Sequence, residues 1–382
     1  MMQVADNMLT NVSPHLHKKN ETISRAMRDV LIALTPAAIW AMVVFGFNVV
    51  LIIAVSCITA ALTEFVMRKL LRRKVTLGDY SAMVTGVLFA FLLPPTTPLW
   101  VVAIGAFIAI AVFKELFGGL GKNVFNPAIT ARLLLWITPL AIYTTKFVRP
   151  FYWKASGFFT PIATSYSNGV TTFKTLAGNV SADVVANATP LSLLKSGRWG
   201  VNAVTGPTPI GATWTTSAGR PSLGTLFLGL KSGCIGEVSV LLLLLGGLYL
   251  IWRGTIDWRI PTAIIGSFFL LNLIAWNQPV YNLFSGGLFL GSFFMATDWV
   301  TSPVTRRGKW IYGVGIGVTI FLIRFTYFRP EGVAMAIFVW NIMTLVIDRY
   351  IAVPKFGEVG AGVFNKLPFL PEPAPEPAKK EA

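Results

Sequence analysis

Apolar and polar positions fall in long blocks along this chain rather than alternating residue by residue. Most of the apolar blocks are close to the roughly 20 residues that a helix needs to cross a bilayer. The blocks are 29–47, 48–66, 79–93, 98–116, 125–145, 224–252, 260–275, 282–297, 310–328 and 332–351. The pattern predicts an all-α polytopic membrane protein with about ten transmembrane helices.

Two of the blocks depart from a simple span. Block 79–93 is short and ends in "FLLPP", whose prolines cannot continue a helix. The stretch 222–252 is too long for one span, and it contains Gly229, Gly233 and Gly236 before the continuous "VSVLLLLLGGLYLIW". These glycines predict a short helix or a break before the long apolar run.

Composition supports a membrane protein, since 54% of the residues are hydrophobic and only 13% are charged. The first apolar block starts near Val30, after a polar segment that contains Lys18, Lys19, Arg25 and Arg28. This segment does not have the features of a cleavable signal peptide. We therefore interpret the first block as a retained span.

The net charge of +16 is concentrated at the ends of the apolar blocks, as topology signals are. This distribution argues against nucleic-acid binding. The basic loops that fall on one face are 67–74, 114–122, 252–259 and 305–309. The opposite short loops, 94–98 and 276–282, carry no Lys or Arg. The asymmetry predicts a multi-pass membrane protein with both termini in the cytoplasm and loop 146–221 outside.

The blocks divide the chain into five parts. They are a cytoplasmic segment 1–28, a first five-helix half 29–145, an extracytoplasmic loop 146–221, a second five-helix half 222–353, and a Pro/Ala/Glu-rich tail 354–382 predicted to be disordered. The stretch "TGVLFAFLLPPTTP" (85–98) is echoed by "GGLFLGSFFMATDWVTSP" (286–303). Because each half has an odd number of spans, this echo predicts two inverted repeats, as in transporters with sites near the midplane.

Two polar positions within the helical halves are candidate binding residues. Asn126-Pro127 in "GLGKNVFNPAITARLLL" is a good helix opening, and the glycines before it allow a ligand or another helix to approach closely. Asp298 in "FFMATDWVTSPVTRRGKWIYG" lies at the end of a span and is followed by Thr301 and Ser302. Either residue can be a simple helix or interfacial cap, and an acid at membrane depth is also a functional candidate.

Other acids also lie near predicted helix boundaries. They are Glu64, Glu115, Glu237, Glu331 and Asp348. Of these, Glu237 is predicted to lie deepest and is a candidate for an ion path. The acids form no cluster typical of a metal site. Two cysteines, Cys57 and Cys234, are too few for an iron–sulfur cluster and are predicted to be core residues.

The loop contains the stretch "DVVANATPLSLLK", which begins at Asp183. Thr189 has the place of a helix N-cap, with Pro190 in the first turn and Gly197 as a stop. A capping threonine is the ordinary interpretation. The same geometry would also suit a phosphate on Thr189, because a helix N-terminus offers free N–H groups, and Lys195 and Arg198 follow closely.

This stretch resembles the acceptor motif on which a flavin transferase attaches FMN to threonine through a phosphoester. The usual pattern is Asp-x-x-Ser/Thr-Gly/Ser-Ala-Thr. Asp183, Ala188 and Thr189 match it, whereas Ala186 and Asn187 depart from it. A second "GAT" ends at Thr213, but Pro207 stands where the pattern has an acid, so Thr189 is favoured.

Further stretches over about 25–353 carry a wider resemblance. "GKNVFNPAITAR", "FFMATDWVTSPVTRRGKWIYG", "RPEGVAMAIFVWN" and "VIDRY" resemble the RnfD membrane component of Rnf electron-transport complexes and the NqrB component of the Na+-translocating NADH:quinone oxidoreductase. "ATPL" favours the Rnf family. The resemblance implies a membrane flavoprotein subunit of an ion-translocating ferredoxin:NAD oxidoreductase. It would relay electrons through FMN on Thr189, coupled to Na+ or H+ transport.

The resemblance also implies partners and a second cofactor. The partners are the other Rnf subunits, including a second covalent-FMN subunit and iron–sulfur subunits, and the flavin transferase. Non-covalent riboflavin is implied by the quinone-reductase relative, with Asn126 and Asp298 as candidate contacts for this second flavin or for packing. Two alternatives stay open from the residues alone, namely a cofactor-free channel or secondary transporter of a small solute, and a bare scaffold subunit.

Overall fold

The fold is described from a computed structural model. The described residues are 22–148, 150–153, 157–159, 163–167, 170–175, 178–180, 186–187, 222–275, 278–326 and 332–351. The predicted tail 354–382 and the first 21 residues of the predicted segment 1–28 lie outside this set.

The first half of the described chain is helical. Its helices are α1 (Ile23–Phe45), α2 (Asn48–Leu70), α3 (Ser81–Phe91), α4 (Leu99–Ile110), α5 (Pro127–Ile137) and α6 (Ala141–Thr144). α4 continues into a π-helical turn, π1 (Ala111–Glu115). α1 begins six residues before its predicted start at 29, because the Thr22 side chain accepts a hydrogen bond from the backbone N–H of Arg25 and caps the helix there.

The second half is also helical. Its elements are α7 (Leu223–Leu228), α8 (Val240–Trp252), α9 (Arg259–Ile274), α10 (Pro279–Phe284), α11 (Leu288–Leu290), the π-helical turn π2 (Gly291–Met295), α12 (Arg306–Phe325) and α13 (Gly332–Tyr350). The predicted break before the long apolar run is confirmed. Gly229, with φ of +93°, ends α7, and a Cβ on it would come within 1.9 Å of the Val238 carbonyl oxygen.

The described chain is therefore predominantly helical, but several predicted spans are not single helices. Four described helices, α1, α2, α12 and α13, are long and apolar enough to cross a membrane. The predicted span 125–145 is wrong as one helix, because Pro139 follows extended Thr138 and separates α5 from α6. The predicted span 282–297 is interrupted at Ser285–Gly287, between α10 and α11.

Part of the predicted loop 146–221 forms strands, which amends the all-α expectation. β1 (Phe147–Val148) pairs with β5 (Ala186–Asn187), and β2 (Ala163–Ser167), β3 (Val170–Thr175) and β4 (Gly178–Val180) form an antiparallel sheet in that order. The backbone N–H of Thr164 donates to the carbonyl of Thr96 at 2.8 Å. The sheet is thereby joined to the loop between α3 and α4.

The loops between helices gather at two ends of the bundle. At one end, Arg73 Nη1 donates to the Glu115 carbonyl at 3.0 Å, and Trp299 Nε1 donates to the Thr255 carbonyl at 2.7 Å. We call this the basic end, formed by loops 71–80, 116–126, 253–258 and 296–305. At the opposite end, Asn48 Nδ2 donates to the Pro95 carbonyl. Basic loops that the sequence places on one face therefore do contact one another.

Small residues let the helices pack closely. A Cβ on Gly317 of α12 would lie 2.0 Å from Ser267 Oγ of α9, and one on Gly246 of α8 would lie 2.4 Å from the Ala33 carbonyl oxygen of α1. Such contacts are typical of helices that associate in membranes. Cys57 and Cys234 are buried and form no disulfide, which confirms their prediction as core residues.

Candidate functional site

A cavity opens at the basic end, between the two halves of the chain. The cavity volume is about 90 Å³, and the cavity is partly open to solvent. The polar residues in its wall are Ser81, Thr85, Lys114, Asn123, Asn126, Thr255, Thr297 and Asp298, and its aromatic residues are Phe293, Phe294 and Trp299.

Asn126 forms part of the wall and holds two elements together. Its Oδ1 accepts hydrogen bonds from the backbone N–H groups of Ala128 at 3.1 Å and Ile129 at 3.4 Å, so the predicted N-cap of α5 is confirmed. Its Nδ2 donates to the Met295 carbonyl at the end of π2, at 3.4 Å. The side chain thereby fixes the start of α5 against π2 at the cavity.

Asn123 presents an unused acceptor at the cavity. Its Nδ2 donates to the Phe125 carbonyl at 3.2 Å, but its buried Oδ1 has no hydrogen-bond partner in the described part of the chain. A buried polar atom without a partner is uncommon in native proteins, because leaving its hydrogen bond unmade costs about 1–3 kcal/mol. Because this oxygen has almost no accessible surface, a donor in the cavity would reach it only after the Asn123 side chain turned.

Asp298 lies on the wall formed by the second half. One carboxylate oxygen accepts from the Val300 backbone N–H and the other from Thr301 Oγ1, both at 3.4 Å. Burial raises the pKa of this carboxyl group above its ordinary value, and the two long hydrogen bonds do not offset that effect. From the sequence alone, Asp298 was either a cap or a functional acid. The structure places it in the wall of the same cavity as Asn126.

The raised pKa of Asp298 gives a pH-dependent stability. A raised native pKa means that the ionised carboxylate is disfavoured in the folded protein. The free energy of unfolding is therefore unaffected below about pH 3.9, the ordinary pKa, and falls as the pH rises through the native pKa. We expect Asp298→Asn to match the wild type at the acidic end and to melt at a higher temperature towards neutral pH. Thermal unfolding of the purified complex from pH 4.5 to 8 measures this difference. A difference that is constant with pH would refute the assignment.

A buried ionic cluster stands behind the cavity wall. Lys114 of π1, whose side chain is 2% exposed, donates from Nζ to Glu64 Oε2 at 2.9 Å and to Ser81 Oγ at 2.7 Å. Arg68 Nε lies 3.1 Å from Glu64 Oε1 and 3.2 Å from Glu115 Oε1. Lys114 and Ser81 line the cavity, whereas the side chains of Glu64, Arg68 and Glu115 do not.

The boundary acids differ in exposure. Glu64 and Glu115 have no exposed surface, and Glu237 is partly exposed, while its predicted depth in the membrane stays a prediction. Lys114 and Asn123 were not predicted as site residues. The only signal for Lys114 was a Lys-Glu pair inside the apolar stretch "AVFKELF", and Asn123 stood three residues before the noted Asn126.

The predicted loop site lies almost wholly outside the described residues. The residues outside the described set are Thr189, Asp183, Ala188, Lys195 and Arg198, together with the competing Thr213 and the boundary acid Glu331. Asn187 is described only through the β5 backbone, where it pairs with Phe147. The assignments in this loop stay predictions. Among the described residues, no three His, Cys, Asp or Glu side chains are grouped to hold a metal ion.

Comparison with known sequences decides the family. The model of the NQR2, RnfD, RnfE family matches residues 9–357. This chain belongs to that family. The family resemblance expected from the sequence motifs is thereby confirmed, and the match covers the cavity and every described element.

Curated relatives of this family member align with it over most of both chains. The D component of the Na(+)-translocating ferredoxin:NAD(+) oxidoreductase complex of Acetobacterium woodii is 38% identical, over 90% of this chain and 93% of the relative. The D component of the proton-translocating ferredoxin:NAD(+) oxidoreductase complex of Clostridium ljungdahlii is 37% identical, over 93% and 98%. The D component of the ion-translocating oxidoreductase complex of Actinobacillus succinogenes is 36% identical, over 88% and 94%.

Proposed function

We propose that this chain is a membrane subunit of an ion-translocating ferredoxin:NAD oxidoreductase complex and relays electrons through bound flavin. The near full-length similarity to the D components of such complexes supports this proposal. The partners would be the other subunits, including a second covalent-FMN subunit and iron–sulfur subunits. Because relatives at 38% and 37% identity are named for Na(+) and for protons, the proposal covers either ion.

The first flavin of this proposal is FMN joined to Thr189 by a phosphoester. The support is the match of Asp183, Ala188 and Thr189 to the acceptor pattern of flavin transferases. Lys195 and Arg198 would contribute positive charge near the phosphate. The Lys and Arg distribution supports an inner-membrane protein with the basic end and both termini in the cytoplasm, so Thr189 would lie outside.

The second flavin is non-covalent, of the riboflavin type, and would occupy the cavity at the basic end. The assignment is supported by the polar and aromatic wall of the cavity, where Asn123, whose buried Oδ1 has no partner among the described residues, would turn to accept from the ring N–H of an isoalloxazine. Phe293, Phe294 and Trp299 supply apolar and aromatic surface for a flat heterocycle. A bound flavin supplies the one- and two-electron chemistry that the side chains of this cavity lack.

The residues of the cavity would bind and orient this ring rather than react. Asn123 would accept its hydrogen bond, and Asn126 would keep π2 and the start of α5 at a fixed separation. Asp298, whose pKa burial raises, would face the ring from the wall formed by the second half.

We also propose that the two halves are inverted repeats. Lys114, at the end of the α4–π1 helix, donates to Ser81 at the start of α3. Arg324, near the end of α12, donates to the carbonyl of Ser285, just before α11. The first contact is at the basic end and the second is at the opposite end, as inversion requires.

Asn123→Ala tests the cavity assignment. We expect acid to extract riboflavin from the intact wild-type complex. In the variant, the affinity of the cavity for riboflavin should fall about tenfold, which corresponds to one hydrogen bond of about 1.4 kcal/mol. The matched control is Asn272→Ala, a buried asparagine on α9 outside the cavity wall. A wild-type complex without acid-extractable flavin, or equal losses in both variants, would contradict the assignment.

A further inference from the structure

Lys114 has a hydrogen-bond donor to spare at the cavity. A lysine ammonium has three N–H donors. Glu64 Oε2 and Ser81 Oγ accept two of them, and no residue in the described part of the chain accepts the third. Lys114 is among the residues that line the cavity, so this third donor would be directed to a ligand there.

In the ionic cluster around Lys114, the residue that lines the cavity is the positively charged Lys114 itself. Glu64 and Glu115 carry two negative charges, and Arg68 and Lys114 carry two positive charges. The Asp79 carboxylate is linked to Lys114 only through Ser81 Oγ, which donates to it at 2.6 Å. Only Lys114 of these four lines the cavity. The Glu64 carboxylate holds the ammonium in place from behind, and low exposure keeps water from screening its charge.

This arrangement would distinguish the two oxidation states of a flavin. Two electrons and one proton convert the neutral oxidised ring into a reduced ring with one negative charge. A fixed positive charge within hydrogen-bond reach therefore binds the reduced ring more tightly than the oxidised one. The electrons would come from the flavin or iron–sulfur partners of the complex, and the proton from solvent.

We propose that Lys114, held by Glu64 and Ser81, is the residue that makes the cavity prefer reduced flavin and so raises the reduction potential of the flavin bound there. This inference rests on the proposed function, because it presupposes a flavin in the cavity. It assigns to Lys114 a role in tuning the ligand, separate from the role of Asn123 in holding it.

Equilibrium dialysis of the intact purified complex against radiolabelled riboflavin tests the preference. The dissociation constant is measured with oxidised riboflavin in air and with dithionite-reduced riboflavin under nitrogen. For Lys114→Gln we expect the ratio of the oxidised to the reduced constant to fall about tenfold, which equals about 30 mV for a two-electron couple. Lys114→Arg, which keeps the charge, should retain most of the ratio.

Two further variants separate the charge of Lys114 from the integrity of the cluster. The double variant Glu64→Gln with Lys114→Gln keeps the cluster balanced and should show the same fall as Lys114→Gln. Lys309→Gln is the matched control, because Lys309 is ion-paired to Asp257 at 3.0 Å at the same end but does not line the cavity. Its ratio should equal that of the wild type.

The outcomes distinguish this inference from the proposed function. If the wild type binds no riboflavin in either state, the cavity assignment fails and the Lys114 role fails with it. If riboflavin binds but Lys114→Gln weakens both states equally, or the balanced double variant keeps the wild-type ratio, only the Lys114 role is overturned.

Discussion

Arg324→Leu is expected to lower the free energy of unfolding by about 3–5 kcal/mol, the usual cost of removing one member of a buried charged group. Arg324 is 5% exposed and donates from Nη1 to the Asn282 carbonyl at 2.7 Å and from Nη2 to the Ser285 carbonyl at 3.1 Å. Its guanidinium also lies 5.0 Å from the centre of the Phe268 ring. These contacts tie α12 to the interruption between α10 and α11.

The interruption needs these donors because it lies among packed helices. A broken helix leaves carbonyl groups without their usual partners, and in a membrane protein other groups must satisfy them. Lys231 Nζ donates to the neighbouring Phe284 carbonyl at 2.6 Å. The Glu237 carboxylate lies beside Gly287, where a Cβ would come within 2.8 Å of Oε1, and its charge offsets that of the two cations. Leucine at 324 would remove the two hydrogen bonds that Arg324 donates to the Asn282 and Ser285 carbonyls.

Thermal unfolding of the purified complex in detergent measures this effect. Arg307→Leu is the matched control, since Arg307 is exposed at the other end of the same helix. Arg324→Lys should recover part of the loss, because one ammonium can reach one carbonyl but cannot span both as the guanidinium fork does. An Arg324→Leu protein that melts with the Arg307→Leu control would show that the contacts do not stabilise the interruption.

The helical framework follows closely from the sequence. Each predicted apolar block contains a helix, and the break at Gly229 was visible because glycine tolerates the positive φ that ends α7. The interruption at Ser285–Gly287 was not predicted, although "SGG" stands there, because the apolar pattern runs through it. Arg324 and Lys231 permit that interruption by donating hydrogen bonds to its carbonyl groups. They lie about 40 and 55 residues away in sequence.

The candidate site was only partly predictable. Asn126 was recognisable because an N-cap followed by proline is a local signal, and Asp298 because an acid at the end of an apolar run is costly. Lys114 and Glu64 are 50 residues apart, and no local pattern indicates that π1 turns the lysine towards a carboxylate on α2. The unpartnered oxygen of Asn123 is a property of the packed site and has no counterpart in the sequence.

Thr189→Ala is expected to remove all covalent flavin from this chain. The phosphoester of the proposal needs the Thr189 hydroxyl oxygen, and alanine has none. Thr189→Ser keeps a hydroxyl and should retain at least part of the flavin. The loss should leave the acid-extractable flavin of the cavity in place, since the cavity residues lie at the basic end and the proposal places Thr189 at the opposite end.

The most direct test of a flavin-carrying subunit is the fluorescence of its band after denaturing gel electrophoresis. The complex is produced together with the flavin transferase, boiled in detergent and separated, and the band of this chain is illuminated. We expect fluorescence in the wild type and in Thr213→Ala, and a dark band in Thr189→Ala. A dark wild-type band, or fluorescence that persists in Thr189→Ala and disappears in Thr213→Ala, would contradict the account.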